Sequence, residues 1–180
     1  MRIYVMHKNI SGGEDMFKVG ENVFCPMRGT GIVEAIEERS MLDEVKEYFI
    51  IHMKCPELTM MVPTDRIETS GFRAINDESV TEQVISILED KKTDIDYSID
   101  IKQRIKHNQE KLSSGLLIEC SEVVRDLATM ETEKALNNSE RMILMQAKRL
   151  LLDEFAIIKN ISEEEAEKII DEVLTEQSIN

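Results

Sequence analysis

The chain has 180 residues and a mass of 20.7 kDa, with 42% hydrophobic and 32% charged residues but only seven Gly and three Pro. That length holds one domain or two small ones, and the composition excludes a disordered, collagen-like or membrane-spanning chain. Its 36 acidic against 22 basic side chains give a net charge of −14, so the molecule as a whole repels nucleic acid and anionic membrane, although the last 21 residues alone carry −6 of it.

Residues 1–15 contain Gly12-Gly13-Glu14-Asp15 just before a Met that opens a strand-like run. Two readings stand. In one, residues 1–15 are a read-through of a purine-rich ribosome-binding site and Met16 is the physiological start; in the other, they form a disordered N-terminal arm.

From Met16 the pattern is β. FKVGENVFC, TGIVEAIEER, KEYFIIHM and LTMMVP are short runs rich in Val, Ile, Phe and Tyr, separated by turn-like pieces at residues 26–31 and 39–45. Four or five strands in about 60 residues predict a small curled sheet or barrel. Val19, Val23, Ile32, Val33, Ile36, Phe49, Ile51, Leu58, Met60 and Val62 are its expected interior, which leaves no room for a ligand cavity and favours a docking module.

After Gly71 the period changes to helical. Ser79 to Glu82 reads as a capping box opening a short helix with Val80, Val84, Ile85 and Leu88 on one face. Asp90 to Asp96 reads as a polar connector, followed by helices at roughly 98–113, 117–136, 139–159 and 163–175. Ser113-Ser114-Gly115, Asn137-Asn138-Ser139 and a second capping box, Ser162 to Glu165, punctuate them. Val123, Val124, Leu127 and Met130 form one apolar stripe, and Ile143, Ala147, Leu150, Leu151, Phe155 and Ile158 another. The expected organisation is α+β: a β domain over 16–75, then an all-helical bundle domain over 76–180 with an acidic final helix.

Catalysis finds little support. His7, His52 and His107 stand alone in three regions, no nucleophile–base arrangement is visible, and Gly29-Thr30-Gly31 lacks the further glycines of a phosphate cradle. Cys25, Cys55 and Cys120 are odd in number and widely spaced, which suits reduced thiols and no zinc site. Cys25 and Cys55 each precede proline and could approach each other across the barrel, without a metal set around them. No cofactor is expected. No apolar run approaches the ~18 residues that span a bilayer, so the cytoplasm is the expected compartment, with no membrane partner.

One segment carries chemical content. Lys102, Arg104, Lys106 and Lys111 face only Glu110 between Ile101 and Lys111, a local +3 in a chain of −14, and Arg141, Lys148 and Arg149 share a nine-residue stretch with no acid. Together they could form an electropositive face; alternatively they are two solvated helix faces neutralised by neighbouring acids.

MFKVGENVFCPMRGTGIVEAIEER, KEYFIIHM, LTMMVPTDRIETSGFR, NQEKLSSG, SEVVRDLA and LNNSERMILMQAKRLLLDEF, taken in order, resemble the CarD/CdnL family of bacterial transcription regulators from Met16 to about Leu174. The resemblance implies a Tudor/SH3-like β-barrel, shared with the transcription-repair coupling factor, that docks on the RNA polymerase β subunit partly by strand pairing at a sheet edge. It implies a helical domain that touches promoter DNA at the upstream edge of the melted bubble and alters open-complex stability. Carried over by position, Arg39 matches a basic docking residue, and Leu58, Thr59, Met60, Met61 and Val62 form the edge strand. Met61 stands where relatives often carry a basic residue.

In the DNA-facing half the family places a Trp before a basic helix segment, and Ile101 occupies that place. Arg104, Lys106 and Arg141 match basic positions, whereas Gln103 has lost a charge. Isoleucine is itself a minor-groove wedge type, but it lacks the base stacking that gives an aromatic ~1–3 kcal/mol per base. The expectation is a monomeric, non-enzymatic regulator that modulates initiation without reading base sequence. The alternative is a polymerase-bound adaptor that recruits or blocks another factor without touching DNA.

Overall fold

The Val-, Ile- and Phe-rich runs pair as one antiparallel sheet. In this computed structural model, which describes residues 17–41, 44–54, 57–90 and 99–176, β1 (Asn22–Cys25), β2 (Gly29–Met41), β3 (Glu44–Met53), β4 (Leu58–Pro63) and β5 (Arg73–Ala74) lie in the order β4-β3-β2-β1-β5. The stretch 1–15, the start at Met16, Cys55 and all but the first residue of the polar connector lie outside the described residues. The fold is the expected one, a Tudor-like sheet followed by helices.

Strand alternation decides what the sheet buries. Phe49, Ile51 and Met53 point into the core with Val23, Val33 and Val62, while Tyr48, Ile50 and His52 lie on the opposite face. A bulge between Val33 and Ala35 leaves Glu34 without a register partner and bends the long β2. Phe17 meets Phe49 edge to face, with ring centroids 6.0 Å apart.

Two expected core residues are on the surface. Ile32 (39% exposed) sits on the outward phase beside His52, because period 2 places it opposite Val33; Val19 (58% exposed) stands in the turn before β1. Ile36, Leu58 and Met60 are only partly buried. Their room is taken by Phe17, Cys25 and Met53, and by Ile67 and Phe72, which fold back onto the sheet from the two 3-10 turns after β4.

The helices are α1 (Ser79–Glu89), α2 (Ile101–Ser114), α3 (Leu117–Glu133), α4 (Asn138–Lys159) and α5 (Glu163–Glu176). Both predicted stripes are core, with Ile158 at the margin. The Ser162–Glu165 box forms: Ser162 N–H donates to Glu165 at 2.9 Å, and Glu165 N–H donates to Ser162 Oγ at 3.2 Å. The Ser79–Glu82 box does not form. Asp77 accepts from both the N–H and the hydroxyl of Ser79, leaving Glu78 as an N-cap with no side-chain bond. A further box opens α4, where Asn137-Asn138-Ser139 looks in sequence like a simple break. Asn137 Oδ1 accepts from Glu140 N–H at 3.0 Å, and Glu140 accepts in return from Asn137 N–H at 3.1 Å.

Cys120 lies in the helical core, where its thiol donates to the Ala147 carbonyl at 3.3 Å. Burial, reinforced by the charge of Glu154, pushes its pKa up to about 12. Iodoacetamide at pH 8 should therefore leave Cys120 unmodified in the native protein and alkylate it once the chain is unfolded, as read by peptide mass spectrometry. Because the folded pKa is raised, the stabilising contribution is whole below the ordinary value of 9.0 and is lost as pH rises toward 12. The melting temperature should fall across that window, and less steeply in Cys120→Ala.

Candidate functional site

Two surfaces remain once the core is accounted for. The first is the free edge of the sheet. β4 pairs with β3 on one side, in the register Phe49 to Val62 and Ile51 to Met60, and no described strand pairs on its other side. Its backbone groups are open to an added strand. Of the five residues expected in this edge strand, Thr59 and Met61 point outward, whereas Leu58, Met60 and Val62 turn toward the core. Only the first two can offer side chains to a partner; the other three contribute backbone. Met61, 47% exposed, continues a cross-strand row through Ile50 and Ala35 on the outer face.

Arg39 belongs to the same sheet. It lies where β2 and β3 run on past the end of β4, opposite Lys46. Like charges facing one another repel, and each is met by an acid on its own strand: Arg39 by Glu37 at 2.5 Å and Lys46 by Glu44 at 3.1 Å. The Glu44 contact raises the Lys46 pKa. Both pairs are solvent-exposed and screened by water, so Arg39 exchanges partners at little cost.

The second surface lies between α2 and α4. Ile101 opens α2, 49% exposed, after an Asp100 N-cap that makes no side-chain bond. Ile105 and Gln109 follow at successive i+4 positions and line one wall of a groove of about 570 Å³. Met142 and Met145, 65% and 62% exposed, line the other with Gln146 and Arg149. Exposed methionines give a soft, adaptable contact surface. Neither is among the residues that the sequence analysis singles out, although a signal exists: they fall on α4 outside the Ile143–Ala147–Leu150 stripe and are apolar where a solvated face needs polarity.

The cations of α2 and α4 are not equivalent. Arg104, expected to be free for DNA, is held indoors: its Nε donates to Glu140 Oε1 at 2.8 Å and its Nη2 bonds the same carboxylate, which is itself buried. Because the other oxygen of Glu140 caps α4, Arg104 pins α2 to the α4 N-terminus and leaves the candidate contact surface. Lys106 reaches Glu110 at 3.6 Å and Arg141 reaches Glu131 at 3.8 Å, both as exposed pairs. Lys102 is exposed with no acidic partner among the described residues. Lys148 meets Asp171 at 3.3 Å.

Among the described residues no group of three or more His, Cys, Asp or Glu is placed to hold a metal ion, and no helix is long and apolar enough to cross a membrane.

This pairing of an open-edged sheet with a helical half has counterparts. Residues 17–75 match the family described as "CarD-like/TRCF RID domain", and residues 83–171 match "CarD, C-terminal domain". The chain belongs to the CarD family. One CarD-like relative, named "Putative transcription factor YdeB" in Bacillus subtilis (strain 168), is 39% identical over 150 residues, which span 83% of this chain and 97% of the relative. The CarD match thus runs through both the free β4 edge and the α2–α4 groove.

Proposed function

We propose that this transcription regulator of the CarD family docks on the RNA polymerase β subunit through the β4 edge and Arg39, and modulates open promoter complexes by sequence-nonspecific DNA contact through the α2–α4 groove. The observation that carries the DNA part is the groove itself: exposed Met142 and Met145 line it with Arg149, and the α2 helix that forms its other wall also carries exposed Ile101, Lys102 and Lys106, on a chain whose net charge is −14. Apolar side chains wedge between base steps while cations hold phosphates. Docking on polymerase raises the effective concentration, so a weak, charge-opposed DNA contact suffices. Strand addition at β4 supplies main-chain hydrogen bonds, and Thr59, Met61 and Arg39 supply side-chain selectivity. In this reading the sheet over 16–75 is the docking domain and residues 76–180 the DNA-facing one.

The adaptor reading draws on a different observation: Arg104, Lys106 and Arg141 each have a carboxylate partner. Open-complex lifetime on a linear promoter, with purified holoenzyme and this protein, separates the two. Under the DNA reading, Lys102→Glu with Lys106→Glu reverses the lifetime effect without changing polymerase affinity. It also lowers the salt dependence by roughly one in log–log slope for each phosphate no longer neutralised. An unchanged lifetime effect in that variant selects the adaptor. In the same assay Arg39→Glu should weaken polymerase binding at low salt; unaltered binding means that docking uses another face.

A further inference from the structure

The sheet and the helical half meet through two adjacent acids inside the apolar run of α4. Glu154 has no exposed surface, and it accepts hydrogen bonds from the segment that leads out of the sheet. Arg73 on β5 donates to it in a fork, Nη1 at 2.6 Å and Nη2 at 2.7 Å, and Asn76 donates its N–H at 3.2 Å and its side-chain amide at 2.8 Å. The same guanidinium donates to the Gly115 carbonyl at the end of α2 and stacks on Phe24 of β1, 4.2 Å from the ring centroid. One side chain therefore touches β1, α2 and α4 together.

Asp153 makes a second tie. Its Oδ2 accepts from the N–H of Thr30 in β2 at 2.8 Å, and its other oxygen lies 3.5 Å from Lys54 Nζ, which also pairs with Glu163 of α5. The backbone is shaped to this approach. Gly29, at φ +94°, leaves no space for a Cβ, which would collide with the Asp153 carboxylate; a Cβ on Gly115, at φ +73°, would strike Pro26 at 2.6 Å. A bidentate fork from the partly buried Arg73 to the fully buried Glu154 fixes orientation as well as distance.

We propose that the Arg73–Glu154 pair is a positioning element, holding sheet and helices at one mutual orientation so that a polymerase docked at β4 presents the α2–α4 groove to DNA at a set place. The inference rests on the proposed docking and DNA contact, and it adds that regulation is transmitted by geometry and not by tethering alone. A flexible tether between two modules needs no buried, doubly bonded carboxylate; a lever does.

The test uses the full chain. Backbone residual dipolar couplings of the two halves should fit one alignment tensor in the wild type and two in Glu154→Ala. Polymerase affinity should stay within twofold, while the effect on open-complex lifetime falls at least fivefold. Glu154→Gln, which keeps an acceptor for Arg73 and Asn76, should recover most of the single-tensor behaviour and most of the lifetime effect. If Glu154→Ala does not fold, Arg73→Lys, which keeps the charge and loses the fork, decides by the same two readouts. A variant whose halves reorient while its lifetime effect stays at the wild-type level overturns the inference, as does a variant that still fits one tensor. A wild type that leaves polymerase and open complexes untouched sinks the proposed function instead, and the tensor comparison then reports on the junction alone.

Discussion

Arg104→Ala should destabilise the helical half by ~3–5 kcal/mol, because it leaves the buried Glu140 carboxylate without its cation. For a chain of this size that is a fall in melting temperature of roughly 6–20 °C. Glu140→Ala should cost at least as much. It strands Arg104 and removes the reciprocal cap on Asn137, worth ~0.5–2 kcal/mol. Since the two side chains share one interaction, Arg104→Ala with Glu140→Ala should cost clearly less than the sum of the single changes. Lys106→Ala, two residues away but 78% exposed, should stay within ~0.5 kcal/mol. A melting temperature unchanged by Arg104→Ala would mean that the guanidinium is not held by Glu140 in solution and is available to DNA after all.

Met142→Glu with Met145→Glu should abolish the effect on open-complex lifetime, a drop of tenfold or more, while leaving the fold and polymerase affinity as they are. Both side chains are largely in water, so replacing them removes little buried surface. Two carboxylates in the groove repel phosphate and cannot enter a base step. Met142→Lys with Met145→Lys separates the readings by sign. Against DNA it adds cations that reach phosphates and steepens the salt dependence, so binding is kept or strengthened at low salt. Against an apolar protein partner it desolvates two ammonium groups and binding is abolished. Equal, full activity of both double variants would remove the groove from the mechanism.

Local signals and distant ones separate cleanly in this chain. The Ser162–Glu165 box is legible because donor and acceptor lie three residues apart and nothing else competes. Its counterpart at Ser79–Glu82 misleads because Asp77 stands two residues upstream and takes the Ser79 hydrogen bonds first. Asn137–Glu140 has the spacing of a box, but Asn-Asn-Ser has the composition of a break, and nothing in the sequence sets Glu140 apart from a surface acid. Strand alternation tells Val33 from Ile32 only once the register with Ile51 and His52 is known, since Val and Ile are equally suited to either face.

Composition, periodicity and turn residues are enough to place a short-stranded sheet before a helical bundle, to bound four of the five helices among the described residues to within about three residues, and to mark Ile101 as an apolar side chain beside cations. Those features depend on neighbours within a turn or two, where spacing alone sets the physics. Which cations are free, which strand is the open edge and how the halves meet depend on partners far apart in the chain. Arg104 meets Glu140 across 36 positions, Arg73 meets Glu154 across 81, and Thr30 meets Asp153 across 123. Asp153 and Glu154 are in plain view as two acids inside LLLDEFAII, yet a buried carboxylate acquires meaning only from the donor that folding brings to it, and no spacing rule reaches that far.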